Sequence, residues 1–309
     1  MDTTNLKATR QSFGEELERL GRENENIVVL NADLSGSTKT SIFEKSFPDR
    51  FFNMGIAEQD MISTAAGLAA MGKIPYASTF AVFATGRAYD QIRSSVAYPK
   101  LDVKICASHS GITVGEDGAT HQMLEDLGIM RGMPNIKVLC ASDDIQTKWA
   151  VREIAKVKGP VYLRLSKSKV PQIYDENTKF EIGKGIQIGD GTRATVFSTG
   201  GMVNIAIEAM EELKEQGIDI RVVDMHTIKP IDRELIVKCS KETDKLISIE
   251  DHSIINGLGT AIMEVLSEEN PKKLTRIGIN DEFGKSGKTK ELLQHFGLTK
   301  ENIISKIIE

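Results

Sequence analysis

Two consecutive doubly wound α/β domains, each on a mostly parallel sheet, are predicted by three features of this 309-residue sequence. Near-continuous apolar runs alternate with helix-patterned stretches; the alternation lapses once, into the polar segment KSKVPQIYDENTKFEIGKG; a second, shorter series then follows. Strands that read as unbroken Val/Ile/Leu runs belong to parallel sheets, where crossover helices cover both faces. The chain is also longer than one hydrophobic core ordinarily serves. The predicted division is 1–170 for the first domain, 171–190 for a linker and 191–309 for the second.

The opening MDTTNLKATRQSFGEEL has no basic stretch followed by an apolar one, so it reads as a capped helix entry and not as a signal peptide. Strands are expected at 27–33, 73–80, 103–108, 136–142 and 161–166. Residues 61–86 carry one charge, Lys73, but Gly72, Lys73 and Pro75 divide them into pieces too short to span a bilayer. A buried helix followed by a buried strand is the expectation there. Gly189-Asp190-Gly191 reads as a hairpin turn ahead of the strand at 194–201. A helix at 202–216, strands at 218–225 and 245–251, a helix at 257–266 and a last strand at 274–280 complete the second domain.

Composition narrows the function. With 39 basic and 44 acidic residues the net charge is −5, and no basic stripe suits a phosphate backbone, which argues against nucleic acid. Cys106, Cys140 and Cys239 form no CxxC pair, which argues against disulfides and zinc knuckles and for a cytoplasmic protein. No repeat or low-complexity segment occurs.

Ligands of open parallel sheets bind beyond the carboxyl ends of strands, and four loops there are rich in functional groups: 32–37, 52–61, 77–83 and 108–122. In the last, His109 and His121 bracket Gly111, Gly115, Gly118, Glu116 and Asp117, a composition suited to wrapping a polar ligand. Two histidines twelve apart match no metal-ligand spacing, and no metal site is expected in this chain. Glu58 precedes an Ala/Met-rich helix. Its position suits either a first-turn residue that complements the helix dipole or a carboxyl among apolar groups that can hold and deliver a proton. Phe80 and Phe83, three apart, suit core packing or a face for a flat heterocycle.

Taken together, GIAEQ (55–59), TFAVF (79–83), GEDGATHQ (115–122) and DMHTIKPID (224–232) resemble the transketolase-type thiamine diphosphate enzymes, over the pyrimidine-binding and C-terminal domains. The family's GDG-plus-Asn motif for the Mg²⁺-diphosphate is not matched: GDG at 189–191 has no Asn in the later window. The resemblance therefore implies the C-terminal subunit of a split transketolase. Thiamine diphosphate would lie between this chain and an N-terminal subunit carrying the Mg²⁺ and diphosphate ligands, in an α₂β₂ assembly. The implied reaction is transfer of a two-carbon ketol unit from a ketose phosphate to an aldose phosphate, as in the pentose phosphate pathway. Glu58 matches the glutamate that hydrogen-bonds N1′ of the aminopyrimidine, Phe83 the aromatic against that ring, Phe80 its companion, and Asp33 a residue beside the thiamine. His109 and His121 match the substrate histidines, and Asp117 a contact to a substrate hydroxyl. Arg10 and Ser37 match the phosphate-end contacts. Lys167 stands where an arginine is expected, and Gly86 where a tyrosine is. His226 and His252 read as structural. Rival readings are a 1-deoxyxylulose-5-phosphate synthase-like chain, the β subunit of a 2-oxoacid dehydrogenase, and a scaffold that has lost activity.

Overall fold

The computed structural model describes residues 2–309. Residues Asp2–Ala8 form a strand, β1, where a capped helix entry was expected. The helix begins at Thr9, and Ala8 before it offers no side-chain cap. The competing interaction is tertiary: β1 runs antiparallel to β8 (Lys169–Gln172), which gives its backbone a ladder that a helix would forgo.

β2 (Ile27–Asn31), β3 (Phe51–Asn53), β4 (Ile74–Ser78), β5 (Lys104–Ala107), β6 (Lys137–Cys140) and β7 (Val161–Arg164) form a parallel sheet in the order β6-β7-β5-β4-β2-β3. All five residues of β2 are buried, as its unbroken apolar run requires. The second sheet runs β14-β13-β10-β11-β9, from β9 (Ile186–Ile188), β10 (Ala194–Ser198), β11 (Arg221–Asp224), β13 (Lys245–Ser253) and β14 (Leu274–Ile279), parallel except for β9. Both domains are thus α/β, with helices covering their sheets.

Segment 171–190 is more than a connection, since it holds the end of β8 and all of β9. Gly189-Asp190-Gly191 is not a hairpin turn: β9 pairs antiparallel with β11, and the chain crosses to β10 on the far side of it. A Cβ on Gly191 would come within 2.2 Å of the Asp219 backbone, so close packing explains this glycine. Strand β12 (Thr227–Lys229), three residues of the second domain, adds antiparallel to β6 and becomes the seventh strand of the first sheet.

The helix Glu58–Ala70 is buried on one side only. Met61, Ile62, Ala65 and Ala66 face the core, while Gln59, Asp60, Ser63 and Gly67 are exposed. Small side chains, not complete burial, account for its apolar composition. Among the described residues no helix is long and apolar enough to cross a membrane.

Candidate active site

The order β7-β5-β4-β2-β3 sets five strand ends side by side. Lys167 follows β7, Ser108 and His109 follow β5, Phe80 follows β4, Asp33 and Ser37 follow β2, and Glu58 follows β3. Residues far apart in sequence converge because neighbouring parallel strands deliver their following loops to one edge.

His109 is the centre of this group. It is buried with φ +58°, and its ring stacks on Phe80 with centroids 3.7 Å apart. Arg10 Nη1 lies 3.3 Å from His109 Nε2 and donates to the Ser37 carbonyl at 2.7 Å. A guanidinium has no acceptor, so Nε2 accepts; the ring proton is then assigned to Nδ1, which donates to Ser108 Oγ at 2.8 Å. Burial, reinforced by the Arg10 charge, pushes the His109 pKa down to about 3, so the ring is neutral at physiological pH. Arg10 Nε is buried without a partner. His121 stands edge-on to Phe83 at 5.6 Å and to Phe80 at 6.4 Å, with Nδ1 2.9 Å from Thr120 Oγ1.

Lys167 and Asp117 are engaged with each other. Lys167 Nζ donates to Asp117 Oδ2 and to the Val114 carbonyl, both at 2.9 Å. That hydrogen bond holds the Asp117 carboxyl below its ordinary pKa. The arginine that ends the same strand is no substitute for Lys167: Arg164 is buried and bound to Asp126 at 2.7 and 3.0 Å. Asp33 stands on the other side, with its hydrogen bonds running to Asn53 at the end of β3.

Glu58 opens its helix with a carboxylate that is 1% exposed, and its partner is Arg87, whose Nη1 donates to Oε2 at 2.8 Å. Residues Phe83–Arg87 form a π-helical turn that brings the Arg87 guanidinium back over the Phe83 ring, 4.6 Å from its centroid.

The loop carrying both histidines is held by the second domain. Asp251, on β13, accepts from the Ile112 N–H and the Thr113 hydroxyl, each at 2.8 Å. A Cβ on Gly111 would come within 2.1 Å of that carboxylate. Gln122 donates to the Lys285 carbonyl at 2.9 Å, and Ser286 donates to the Glu116 carbonyl. His226 and His252 lie away from this group. His226 is edge-on to Trp149, and His252 Nε2 accepts from the Gly128 N–H at 3.3 Å. Among the described residues no three His, Cys, Asp or Glu side chains are grouped to hold a metal ion.

The structure thus brings together Arg10, Ser37, Phe80, Phe83, His109, Asp117, His121 and Lys167, and joins Glu58 to Phe83 through Arg87. Sequence reasoning missed Arg87, Ser108 and Asp251. Only Arg87 left a signal, its i,i+4 spacing from Phe83.

Sequence profiles match this chain to the transketolase pyrimidine-binding domain over residues 6–172 and to the transketolase C-terminal domain over 183–303. The chain belongs to the transketolase family. It is 54% identical to a putative transketolase C-terminal section of Methanocaldococcus jannaschii, over 98% of this chain and 96% of that one. It is 40% identical to a 6-deoxy-6-sulfo-D-fructose transketolase subunit of a Clostridium species, over 96% and 92% of the two chains. A solved split-gene transketolase, described as an inactive β4 tetramer, superimposes with a TM-score of 0.91 at 49% identity, over 97% of each chain. In extent this transketolase-family chain corresponds to the C-terminal subunit of a split transketolase.

Proposed function

We propose that this chain works in the cytoplasm with a separate N-terminal subunit as a two-subunit transketolase, binding thiamine diphosphate at their interface and moving a two-carbon ketol unit from a ketose phosphate to an aldose phosphate, as in the pentose phosphate pathway. One observation carries the reading: a buried carboxylate, Glu58, is joined through Arg87 to Phe83, and Phe83 and its neighbour Phe80 stand against His121 and His109. The donor set fits the cofactor, because a flat N–H-bearing group, the guanidinium of Arg87, already bridges Glu58 and Phe83. When bound, thiamine diphosphate supplies the carbon nucleophile that C–C cleavage of a ketose needs. Glu58 would hold the proton at the ring nitrogen, while Phe80 and Phe83 would give the ring an apolar wall.

His109 Nε2, an acceptor in this tautomer, would accept from a sugar hydroxyl that takes the place of the Arg10 guanidinium there, and His121 would meet a second sugar oxygen. Arg10, with its buried unspent Nε, would meet the anionic end of the substrate, with Ser37 and Lys167 beside it. Asp117 would contact a hydroxyl and Asp33 the thiamine side. The Mg²⁺ and diphosphate ligands are assigned to the partner. Ile56 and Met71, 77% and 83% exposed on either side of the helix Glu58–Ala70, offer apolar surface for that contact, and an α₂β₂ assembly follows. The inactive β4 tetramer of the similar split-gene protein supports the need for a partner. In this reading 1–170 forms the cofactor-binding domain, 191–309 the C-terminal domain and 171–190 the join.

The test is ketol transfer from xylulose 5-phosphate to ribose 5-phosphate, with thiamine diphosphate and Mg²⁺, by this chain alone and mixed with the N-terminal subunit. Activity is expected only in the mixture. Activity of the chain alone would overturn the two-subunit reading. A mixture active only on a sulfonated sugar, the substrate named for one relative, would overturn the phosphosugar assignment.

A further inference from the structure

Arg87 is given no role in the reaction proposed above, yet it holds two of that site's cofactor-facing groups, Glu58 and Phe83. Its guanidinium is flat, cationic and rich in N–H donors. It donates to Glu58 Oε2 at 2.8 Å and lies 4.6 Å from the centre of the Phe83 ring. These are the two contacts, a hydrogen bond to the carboxylate and stacking on the phenyl ring, that the proposed function gives to a flat N-heterocycle. A heterocycle that bonds the same carboxylate oxygen and lies on the same face of Phe83 competes with the guanidinium for both.

We propose that Arg87 is a displaceable stand-in for the cofactor's ring: it closes the Glu58–Phe83 site while the cofactor is absent and must swing away for the cofactor to enter. The inference rests on the thiamine diphosphate reading of this site. The two partners differ in freedom. Glu58 is 1% exposed at the start of a packed helix, whereas the Arg87 side chain is 47% exposed, on a π-helical turn at the surface. Arg87 is therefore the member that can leave, and water receives its charge. The closed state has a purpose, because a buried carboxylate without a partner is strongly destabilising. Its consequence is that only molecules with Arg87 displaced are competent to load, so the measured affinity is the intrinsic affinity reduced by that fraction.

The test is calorimetric binding of thiamine diphosphate, with Mg²⁺, to this chain mixed with the N-terminal subunit, comparing wild type with Arg87→Ala and Arg87→Met. Both variants should bind about five- to tenfold more tightly. In parallel, Tm of the chain alone should fall in Arg87→Ala and recover on adding Glu58→Gln, since the neutral amide needs no counter-ion. A purely structural ion pair would move Tm and leave Kd unchanged, and that result overturns the proposal. Weaker binding in the variants also overturns it, because Arg87 would then help to hold the cofactor. If the wild-type mixture takes up no thiamine diphosphate, the underlying reading of the site fails and this inference with it.

Discussion

His109 and Glu58 are both almost fully buried, yet they are held in opposite ways. His109 is enclosed by its own chain: Phe80 stacks on it, Ser108 and Arg10 take its two nitrogens, and the loop that follows is fastened to the second domain through Asp251. Glu58 has one ion-pair partner, the half-exposed Arg87, on a helix whose other side is bare. The histidine end is preorganised within this polypeptide. In the proposed function the carboxylate end would be completed from outside, by the cofactor in place of Arg87 and by the partner on the exposed helix.

The sharpest way to break the contrast is at Glu58. Glu58→Gln should lower ketol transfer by the reconstituted enzyme about 10²–10⁴-fold while unfolding remains cooperative, because a neutral amide cannot pass a proton to a ring nitrogen. Turnover near the wild-type rate would remove Glu58 from the mechanism. At the histidine end, Asp251→Ala strands the buried Ile112 N–H and the Thr113 hydroxyl. A loss of about 2–4 kcal/mol in urea unfolding is expected, with a fall in activity, although residue 251 touches no reactant in the proposed mechanism. Unchanged stability would mean that the second domain does not hold the loop.

The third expectation concerns acid. The folded-state pKa of His109 is pushed down to about 3 by burial and the Arg10 charge, so the unfolded chain binds a proton below about pH 6.5 that the native ring refuses. Stability is therefore fully present above about pH 6.5 and falls as the pH drops from there toward 3. Between pH 7.5 and 5.5, His109→Gln should lose about 1 kcal/mol less than wild type. His226, pushed down to about 4 by burial, leaves a residual slope of the same sign in the variant. Equal losses in the two proteins would show that His109 titrates normally. The smallest effect is expected at Lys167, half-exposed and shared with Asp117. Lys167→Arg should lower KM for phosphorylated sugars about three- to tenfold with little change in kcat, and leave unphosphorylated sugars unaffected. A uniform change across both classes would place Lys167 away from the phosphate.

What was legible in the sequence follows the same physics. β2, β4, β5, β7 and β10 are almost wholly buried and so appear as near-continuous apolar runs. β1, β8, β9 and β12 do not, because they are short or polar strands formed by partners elsewhere in the chain. His109 and Phe80 were found because they follow legible strands and Lys167 through the family resemblance, and the topology sets those strand ends together. Asp251 and the Glu58 contact of Arg87 went unnoticed because the partners lie 139 and 29 residues apart, across contacts that no local pattern encodes; only the i,i+4 spacing of Arg87 from Phe83 is local. The half-exposed helix at 58–70 was misjudged because alanine and glycine suit a buried face and an exposed one equally well.

Strand β12 limits where such a polypeptide can be divided. Thr227–Lys229 lies beyond the second domain's first strands and yet completes the first domain's sheet, against Leu139 and Val138. Ending the chain after residue 172 would strip that ladder and leave β6 as an unprotected edge, open to pairing with strangers. A gene break upstream of the pyrimidine-binding domain costs the fold no strand of this sheet, whereas a break between these two domains removes one. The first sheet is therefore whole only in a polypeptide that continues through Lys229, well inside the second domain.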